Sequence, residues 1–203
     1  TLSPFSASSS PIGSRHVGHW MTAFFSAASR SCGVRLIDTA ADYHNEEQIG
    51  EAVRMSGVPR DEVFVASKLG PLSQGYERAK ASVLRSLSRM GFDYLDLIVI
   101  QWPGAWVHEQ KEWRASDWMG GRAQALAREL RAGSYRALED LKASGKLRSI
   151  GVSNYTPSHL MELLRTCRYK PDVMQSECHP FFSNATVRSL CAEHGIAFMA
   201  YGP

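Results

Sequence analysis

The chain has 203 residues, a hydrophobic fraction of 44% and a formal net charge of +3 from 23 basic and 20 acidic side chains. This length and composition suffice to bury a substantial core, which excludes a disordered or fibrous protein. The apolar runs are far shorter than the ~18 residues that span a bilayer, and the weak, dispersed positive charge is unlike a nucleic-acid-binding surface.

The N-terminal region differs from the rest of the chain. Its first 37 residues contain no Asp or Glu and are rich in Ser, with Arg15, Arg30 and Arg35 as their basic residues. This composition is typical of an organellar targeting segment and also of an unstructured leader. We expect residues 1–19 to form a leader or a degraded first strand, and 20–203 to fold.

Cysteine usage bears on the cellular compartment and on metals. None of the four cysteines forms a C-x-x-C pair, which favours free thiols in a reducing compartment. We therefore expect a cytoplasmic location, with organellar targeting as the alternative. The spacing of Cys178-His179 from Cys191 and His194 fits no common zinc module, so no metal site is predicted.

From about residue 20 onward, strand and helix patterns alternate. Asn45 is placed to cap a helix that begins with Glu46, and the apolar run at 63–66 predicts a strand. A helical pattern over 79–90 ends at a glycine, and the continuously apolar run at 95–100 predicts a buried strand.

The second half begins with an irregular segment from 103 to about 133, where we expect a loop with one short helix around 122–131. Regular elements follow: a helix from Tyr135 to about Gly145, strands at 149–153, 173–177 and 196–201, and helices capped by Thr156 and Asn184. Repeated β-α units with buried strands predict a parallel sheet. Neither a G-x-G-x-x-G nor a P-loop motif is present, which leaves the (β/α)8 barrel as the other large class.

A polar side chain stands at or just after the end of each predicted strand. These side chains are Asp38, Lys68, Gln101, Ser153 with Asn154, Gln175 and Tyr201. In a barrel the carboxyl ends of the strands converge on one mouth, where the catalytic groups lie. We therefore expect these side chains to form one site.

The residue types suggest a proton donor and its support. Tyr43 follows Asp38 by five residues and carries a phenol that can act as a general acid. A nearby Lys68 ammonium favours the phenolate form, and Asp38 can hold that ammonium by a charge-assisted hydrogen bond.

An acid alone reduces nothing, so a hydride source must bind beside it. The amide and hydroxyl groups of Ser153, Asn154 and Gln175 can bind a carboxamide. The Tyr201 ring offers a flat face for a heteroaromatic ring.

At these residues the chain resembles the aldo-keto reductase family. The run 33–50 resembles the family's first signature, except that Val34 stands where an aromatic residue is usual. The other matching segments are 66–69, 94–103, 148–155, 173–180 and 200–203, with Gly202 where serine is common. The resemblance covers residues 33–203.

The resemblance implies an aldo-keto reductase-type (β/α)8 barrel that reduces aldehydes or ketones with NADPH, or with NADH. It implies Tyr43 as the proton donor, Lys68 as the partner that stabilises its phenolate and Asp38 as the third member. The implied cofactor-binding residues are Asp38, Ser153, Asn154, Gln175 and Tyr201, and the implied substrate-contacting residues are Tyr43, Gln101 and Trp102. For the full-length protein the resemblance implies a monomer.

Gln101 departs from the family pattern, because histidine is usual at this fourth catalytic position. An amide can still donate a hydrogen bond to a carbonyl oxygen, but it carries no titrating proton. We expect substrate orientation to survive, with a changed rate or substrate preference. His108 is the alternative source of the missing imidazole.

The length also departs from the pattern. A complete barrel has ~250 residues. We predict a barrel truncated to about six or seven strands, the seventh around residues 12–19. It would lack the last helix–strand–helix portion, which in the family binds the 2′-phosphate.

Two other functions stay open. A non-catalytic nicotinamide-nucleotide-binding relative, or an inactive fragment, is the main alternative. A metal-dependent hydrolase on a similar barrel is the third, without a supporting cluster of His and Asp.

Overall fold

A computed structural model describes residues 32–105 and 121–202 of the chain, and its side chains from residue 124 onward in the second range. The described strands form one all-parallel sheet in chain order. They are β1 Leu36–Asp38, β2 Phe64–Leu69, β3 Leu95–Ile100, β4 Leu147–Ser153, β5 Val173–Glu177 and β6 Ala197–Tyr201. Chain-order pairing of parallel strands is the topology predicted for the barrel.

Helices connect the strands. They are α1 Glu46–Ser56, α2 Tyr76–Met90, α3 Gly121–Ala143, α4 Pro157–Leu164 and α5 Ala185–His194. Short 3-10 turns cover Ala41–Tyr43, Arg60–Glu62 and Pro71–Ser73. No helix in the described ranges is both long and apolar enough to cross a bilayer.

The core divides into two layers because strand side chains alternate between the two faces of the sheet. The larger layer lies between the sheet and the helices and contains Val65, Ile98, Ile150 and Met174. The smaller one contains Ala66, Leu97 and Val99 with Val173 packed against it, and it lies on the face opposite the helices. β3 is buried along its whole length, as predicted, and its one charged residue, Asp96, is paired with Arg60 and Arg148.

The region before β4 differs from the prediction. One helix, α3, runs through Gly133 where we expected a loop, a short helix and a separate later helix. Gly133 is retained inside the helix because a Cβ there would lie 3.1 Å from the backbone nitrogen of Tyr76. The close contact between α3 and the start of α2 therefore accounts for Gly133, which the sequence pattern had suggested as a helix break. Residues 106–120, including His108, and the proposed leader and strand at 1–19 lie outside the described residues.

The predicted helix caps have different outcomes. Thr156 caps its helix as predicted, and it does so within a capping box that includes His159. Asn45 and Asn184 occupy the N-cap positions of their helices, as predicted, but neither side chain makes the capping hydrogen bond. Asn45 Oδ1 instead accepts a hydrogen bond from Thr39 Oγ1 at 2.6 Å, and Asn184 Nδ2 donates to Ser176 Oγ at 2.9 Å.

Gly50 marks a close contact between α1 and the end of α2. A Cβ at this position would overlap the carbonyl oxygen of Met90, which also accepts a hydrogen bond from Arg54 Nη1 at 2.8 Å. We expect Gly50→Ala to lower the free energy of unfolding by about 2 kcal/mol, because the helices must move apart.

Urea unfolding followed by circular dichroism measures this change, with Glu51→Ala on the exposed face of α1 as the matched control. The control should stay within about 0.5 kcal/mol of the native protein. Equal stabilities of the two variants would contradict the packing argument.

Candidate active site

The candidate site lies on the face of the sheet opposite the helices, at the carboxyl ends of the strands. Alternation places Lys68 on the same face as Ala66, and Gln101 on the same face as Leu97 and Val99. Lys68 lies inside β2 rather than after it, because β2 continues to Leu69. Lys68 and Gln101 are therefore directed to the same region, at the carboxyl ends of β2 and β3.

A buried ammonium lies at the centre of the site. Lys68 is 6% exposed, and its Nζ donates to Asp38 Oδ1 at 2.7 Å and to the carbonyl oxygen of Thr39 at 2.9 Å. Burying a charge is costly unless it is paired and hydrogen-bonded, and both conditions are met here. The ion pair joins the end of β1 to β2.

Tyr43 lies above this ammonium at the end of a 3-10 turn. Lys68 Nζ is 5.0 Å from the centroid of the Tyr43 ring, within the range in which a cation is attracted to an aromatic face. The Tyr43 side chain is 52% exposed, so a small molecule can reach it. The structure thus brings together Asp38, Tyr43 and Lys68.

Gln175 in β5 contacts the same cluster, although β5 is not adjacent to β1 or β2 in the sheet. It is 2% exposed, and its Nε2 donates to Asp38 Oδ2 at 3.0 Å and lies 3.2 Å from Met199 Sδ. Its Oε1 is buried and has no hydrogen-bond partner among the described residues. Asp38 therefore bridges Lys68 and Gln175, one carboxylate oxygen to each.

A second hydrogen-bonded group surrounds Asn154, which has φ 61 and so adopts the left-handed conformation that asparagine tolerates. Asn154 Nδ2 donates to the carbonyl oxygen of Gln101 at 2.9 Å and lies 3.3 Å from Ser153 Oγ. The hydroxyl of Tyr201 donates to Asn154 Oδ1 at 2.7 Å. The Asn154 backbone N–H donates to the carbonyl oxygen of Gln175 at 3.0 Å, which links the two groups.

Tyr201 has a polar role that the sequence did not suggest. Beyond offering a ring face, it anchors Asn154 through its hydroxyl. Burial raises the pKa of Tyr201, and the nearby Glu177 carboxylate raises it further. The hydroxyl therefore stays a donor at neutral pH.

Gln101 and Trp102 follow β3. The Gln101 N–H donates to the carbonyl oxygen of Leu69 at 3.0 Å, and the side-chain Oε1 of Gln101 is buried without a partner among the described residues. The Trp102 side chain is half exposed, and its carbonyl oxygen accepts a hydrogen bond from Gln74 Nε2 at 2.7 Å. Both residues lie at the carboxyl end of the sheet.

Sequence reasoning missed three supporting residues: Thr39, Gln74 and Glu46. The Thr39 carbonyl binds Lys68, and its position directly after Asp38 was the available signal. Glu46 begins α1, as predicted, but it is also 2% exposed, accepts a hydrogen bond from Ser67 Oγ at 3.2 Å and lies 3.4 Å from Arg89 Nη1. Its burial depends on how α1 packs on β2, which no local pattern reveals.

The site residues fit a nicotinamide carboxamide. Gln175 Oε1 is an open acceptor next to Asp38, which suits the amide N–H of such a group. Asn154 already uses both ends of its side chain within the protein. Within the described ranges, no cluster of three or more His, Cys, Asp or Glu side chains could hold a metal ion.

Removal of the Asp38 charge tests the ion pair. We expect Asp38→Asn to lower the free energy of unfolding by about 3 kcal/mol, because the buried Lys68 ammonium loses its counter-charge. Adding Lys68→Met should recover part of this loss, since no charge then remains buried. Urea denaturation of the single and double variants measures both effects. An unchanged unfolding midpoint for Asp38→Asn would contradict the argument.

Residues 22–203 match the model of the Aldo/keto reductase family. Over 171 residues the chain is 40% identical to a 9,11-endoperoxide prostaglandin H2 reductase of Trypanosoma cruzi (strain CL Brener), covering 84% of this chain and 52% of that protein. It is 41% identical over 171 residues to a glyoxal reductase of Bacillus subtilis (strain 168), covering 84% of this chain and 54% of that protein. The chain thus spans about half the length of these curated relatives.

Solved structures give the same answer for the fold. An aldo/keto reductase from Brucella melitensis matches with a TM-score of 0.77 at 33% identity, covering 92% of this chain and 64% of that one. A Bombyx mori aldo-keto reductase in complex with NADP matches with a TM-score of 0.78 at 28% identity, covering 97% of this chain and 59% of that one. The predicted fold class, a partial (β/α)8 barrel, is confirmed. Together with the family match over 22–203, these similarities show that the chain belongs to the aldo/keto reductase family.

Proposed function

We propose that this protein reduces aldehydes or ketones to alcohols with NADPH, or with NADH, and that Tyr43 donates the proton. The observation that carries the proposal is the Lys68 ammonium, held by Asp38 at 2.7 Å and placed 5.0 Å from the Tyr43 ring. A phenol beside a fixed cation is a better proton donor than a phenol alone, because the cation stabilises the phenolate that remains.

The reaction needs a proton and a hydride at one carbonyl group. When bound, the nicotinamide supplies the hydride to the carbonyl carbon. The Tyr43 hydroxyl donates its proton to the carbonyl oxygen, which becomes the alcohol oxygen. Lys68 stabilises the resulting phenolate, and Asp38 keeps the ammonium in place through the reaction.

Four residues are proposed to bind the nicotinamide end of the cofactor. Gln175 Oε1 accepts from the carboxamide N–H, which supplies the partner that this buried oxygen lacks among the described residues. Ser153 and Asn154 lie next to it along the strand ends, and Tyr201 offers its ring face. Asp38 contributes indirectly, by orienting the Gln175 amide at 3.0 Å.

Gln101 and Trp102 are proposed to contact the substrate. The Gln101 amide donates to the carbonyl oxygen without taking part in proton transfer, since an amide does not titrate. The half-exposed Trp102 indole forms an apolar wall beside the reacting group. Small-molecule carbonyl compounds are the proposed substrates, in keeping with relatives named as reductases of glyoxal and of prostaglandin H2.

A second candidate function rests on Gln101 alone. Without an imidazole at this position, the protein would bind the nicotinamide nucleotide but serve a regulatory or interaction role. The intact Asp38–Lys68 pair favours the catalytic proposal, because a binding protein has no need of a buried cation beside a phenol.

We also propose a cytoplasmic location. Among the described residues, Cys167, Cys178 and Cys191 form no disulfide, which accords with the cytoplasm. We propose a monomer that binds small molecules and neither nucleic acid nor membranes.

Tyr43→Phe tests the proton donor. We expect kcat to fall by at least about 100-fold, because no phenol remains to protonate the carbonyl oxygen. The dissociation constant for NADPH should change by less than about twofold, because the nicotinamide-binding residues are untouched. Loss of NADPH absorbance with a panel of aldehydes measures turnover, and fluorescence titration measures binding.

Tyr169→Phe is the matched control, because Tyr169 is an exposed tyrosine that precedes β5, at the opposite ends of the strands. It should keep the native rate. If Tyr43→Phe retained more than about a tenth of the native kcat, another group would have to be the acid.

Gln101→His separates the two candidate functions. An imidazole titrates near pH ~6.5, so we expect this variant to gain a pH dependence of kcat in that region. The native protein and Gln101→Leu, which has no titrating group at this position, should show no such step. NADPH binding without turnover in both the native protein and Gln101→His would favour the non-catalytic candidate.

A further inference from the structure

Gln74 is a fully buried amide that contacts the segment after β3, which we define as residues 101–105. Its relative exposure is 0%, and it lies between the 3-10 turn Pro71–Ser73 and helix α2. Its Nε2 donates to two carbonyl oxygens of the segment, those of Trp102 at 2.7 Å and Gly104 at 2.9 Å. One side chain therefore uses both N–H groups on the same short stretch of backbone.

Gln74 is itself held firmly. Its carbonyl oxygen accepts from Arg78 Nε at 2.7 Å, and the next N–H, that of Gly75, donates to Ser134 Oγ at 2.8 Å. Ser134 lies in α3 and is fully buried. The backbone at Gln74 and Gly75 is thus held by side chains of α2 and α3.

The hydrogen bonds of the segment 101–105 fall into two sets. Gln101 is held by β2 and by Asn154, through its N–H to Leu69 O at 3.0 Å and its carbonyl oxygen at 2.9 Å. The carbonyl oxygens of Trp102 and Gly104 are held by Gln74. The position of Trp102 therefore depends on Gln74, whereas that of Gln101 does not.

Stability alone does not account for a glutamine at this place. Its Oε1 is buried and has no hydrogen-bond partner among the described residues, which is unfavourable for an acceptor removed from water. The two hydrogen bonds that it donates largely replace hydrogen bonds to water, so their net contribution to stability is modest. The main effect of this amide is on geometry. It fixes the carbonyl groups of Trp102 and Gly104, and so the backbone that carries the half-exposed Trp102 indole.

We propose that Gln74 is a positioning residue that holds Trp102 in place as a wall of the substrate site. It thereby favours carbonyl substrates with an aromatic or bulky apolar group over small ones. This inference rests on the proposed function. An indole face at the mouth offers a large substrate an apolar contact, and a rigid backbone keeps that contact from costing entropy on binding.

Gln74→Met tests the proposal, because methionine has a similar volume but no N–H group. We expect KM for 4-nitrobenzaldehyde to rise about tenfold, whereas kcat/KM for glyoxal stays within about twofold. Trp102→Ala should raise the same KM, and the double variant should be no worse than Trp102→Ala alone, since both changes remove one contact.

Tyr135→Phe is the matched control. It removes another buried side-chain hydrogen bond to a backbone carbonyl, that of Tyr169 at 3.0 Å, away from the strand ends that carry the site. It should leave the preference between the two aldehydes unchanged. If Gln74→Met does not fold, Gln74→Asn, whose amide is too short to reach both carbonyls, takes its place.

Hydrogen exchange provides a readout that needs no turnover. In Gln74→Met the backbone amides of Trp102, Gly104 and Ala105 should exchange about tenfold faster than in the native protein, and in Tyr135→Phe they should not. Unchanged exchange, equal losses for both aldehydes, or additive effects of Gln74→Met and Trp102→Ala would overturn the proposal. If the native protein reduces neither aldehyde, the proposed function fails, and exchange still decides whether Gln74 holds the segment.

Discussion

The buried Lys68 ammonium is the constraint on which the site depends. It is almost completely removed from water, so it must be matched by a negative charge and by hydrogen bonds. Asp38 at the end of β1 and the carbonyl of Thr39, the next residue, provide these, whereas the lysine comes from β2. The same contacts that make the charge tolerable therefore fix the distance between two strands and place the cation under Tyr43.

Alternation along the strands lets one sheet carry both a core and a site. Side chains directed to the helices, such as Ile98 and Met174, form the main apolar layer. Side chains directed to the other face are apolar in the middle of the strands and polar at their carboxyl ends, as Leu97 and Lys68 illustrate. Because Lys68 and Gln101 lie at or near these ends, they displace little of the apolar layer in the middle of the strands.

Two kinds of support lie behind the proposed reacting groups. Asp38 and Asn154 link the ends of different strands directly, each through two side-chain contacts. Gln74 and Glu46 act from the helix layer, where both are buried and bonded to other elements. Such buried polar contacts are worth more for geometry than for stability, since much of each hydrogen bond replaces one to water. The contacts of Gln74 and Glu46 are consistent with a site whose shape depends on the residues packed beneath it.

The sequence by itself determined the strands and the ordered motif of site residues. The runs at 95–100 and 173–177 were predicted with the bounds that the structure shows, because apolar residues dominate the first run and begin the second. Only the tertiary structure decided which supports these residues use. The continuity of α3 through Gly133 depends on a contact with Tyr76, and the role of Gln74 depends on a carbonyl nearly thirty positions away. Local propensity and periodicity describe neighbours along the chain, whereas these contacts join residues that only folding brings together.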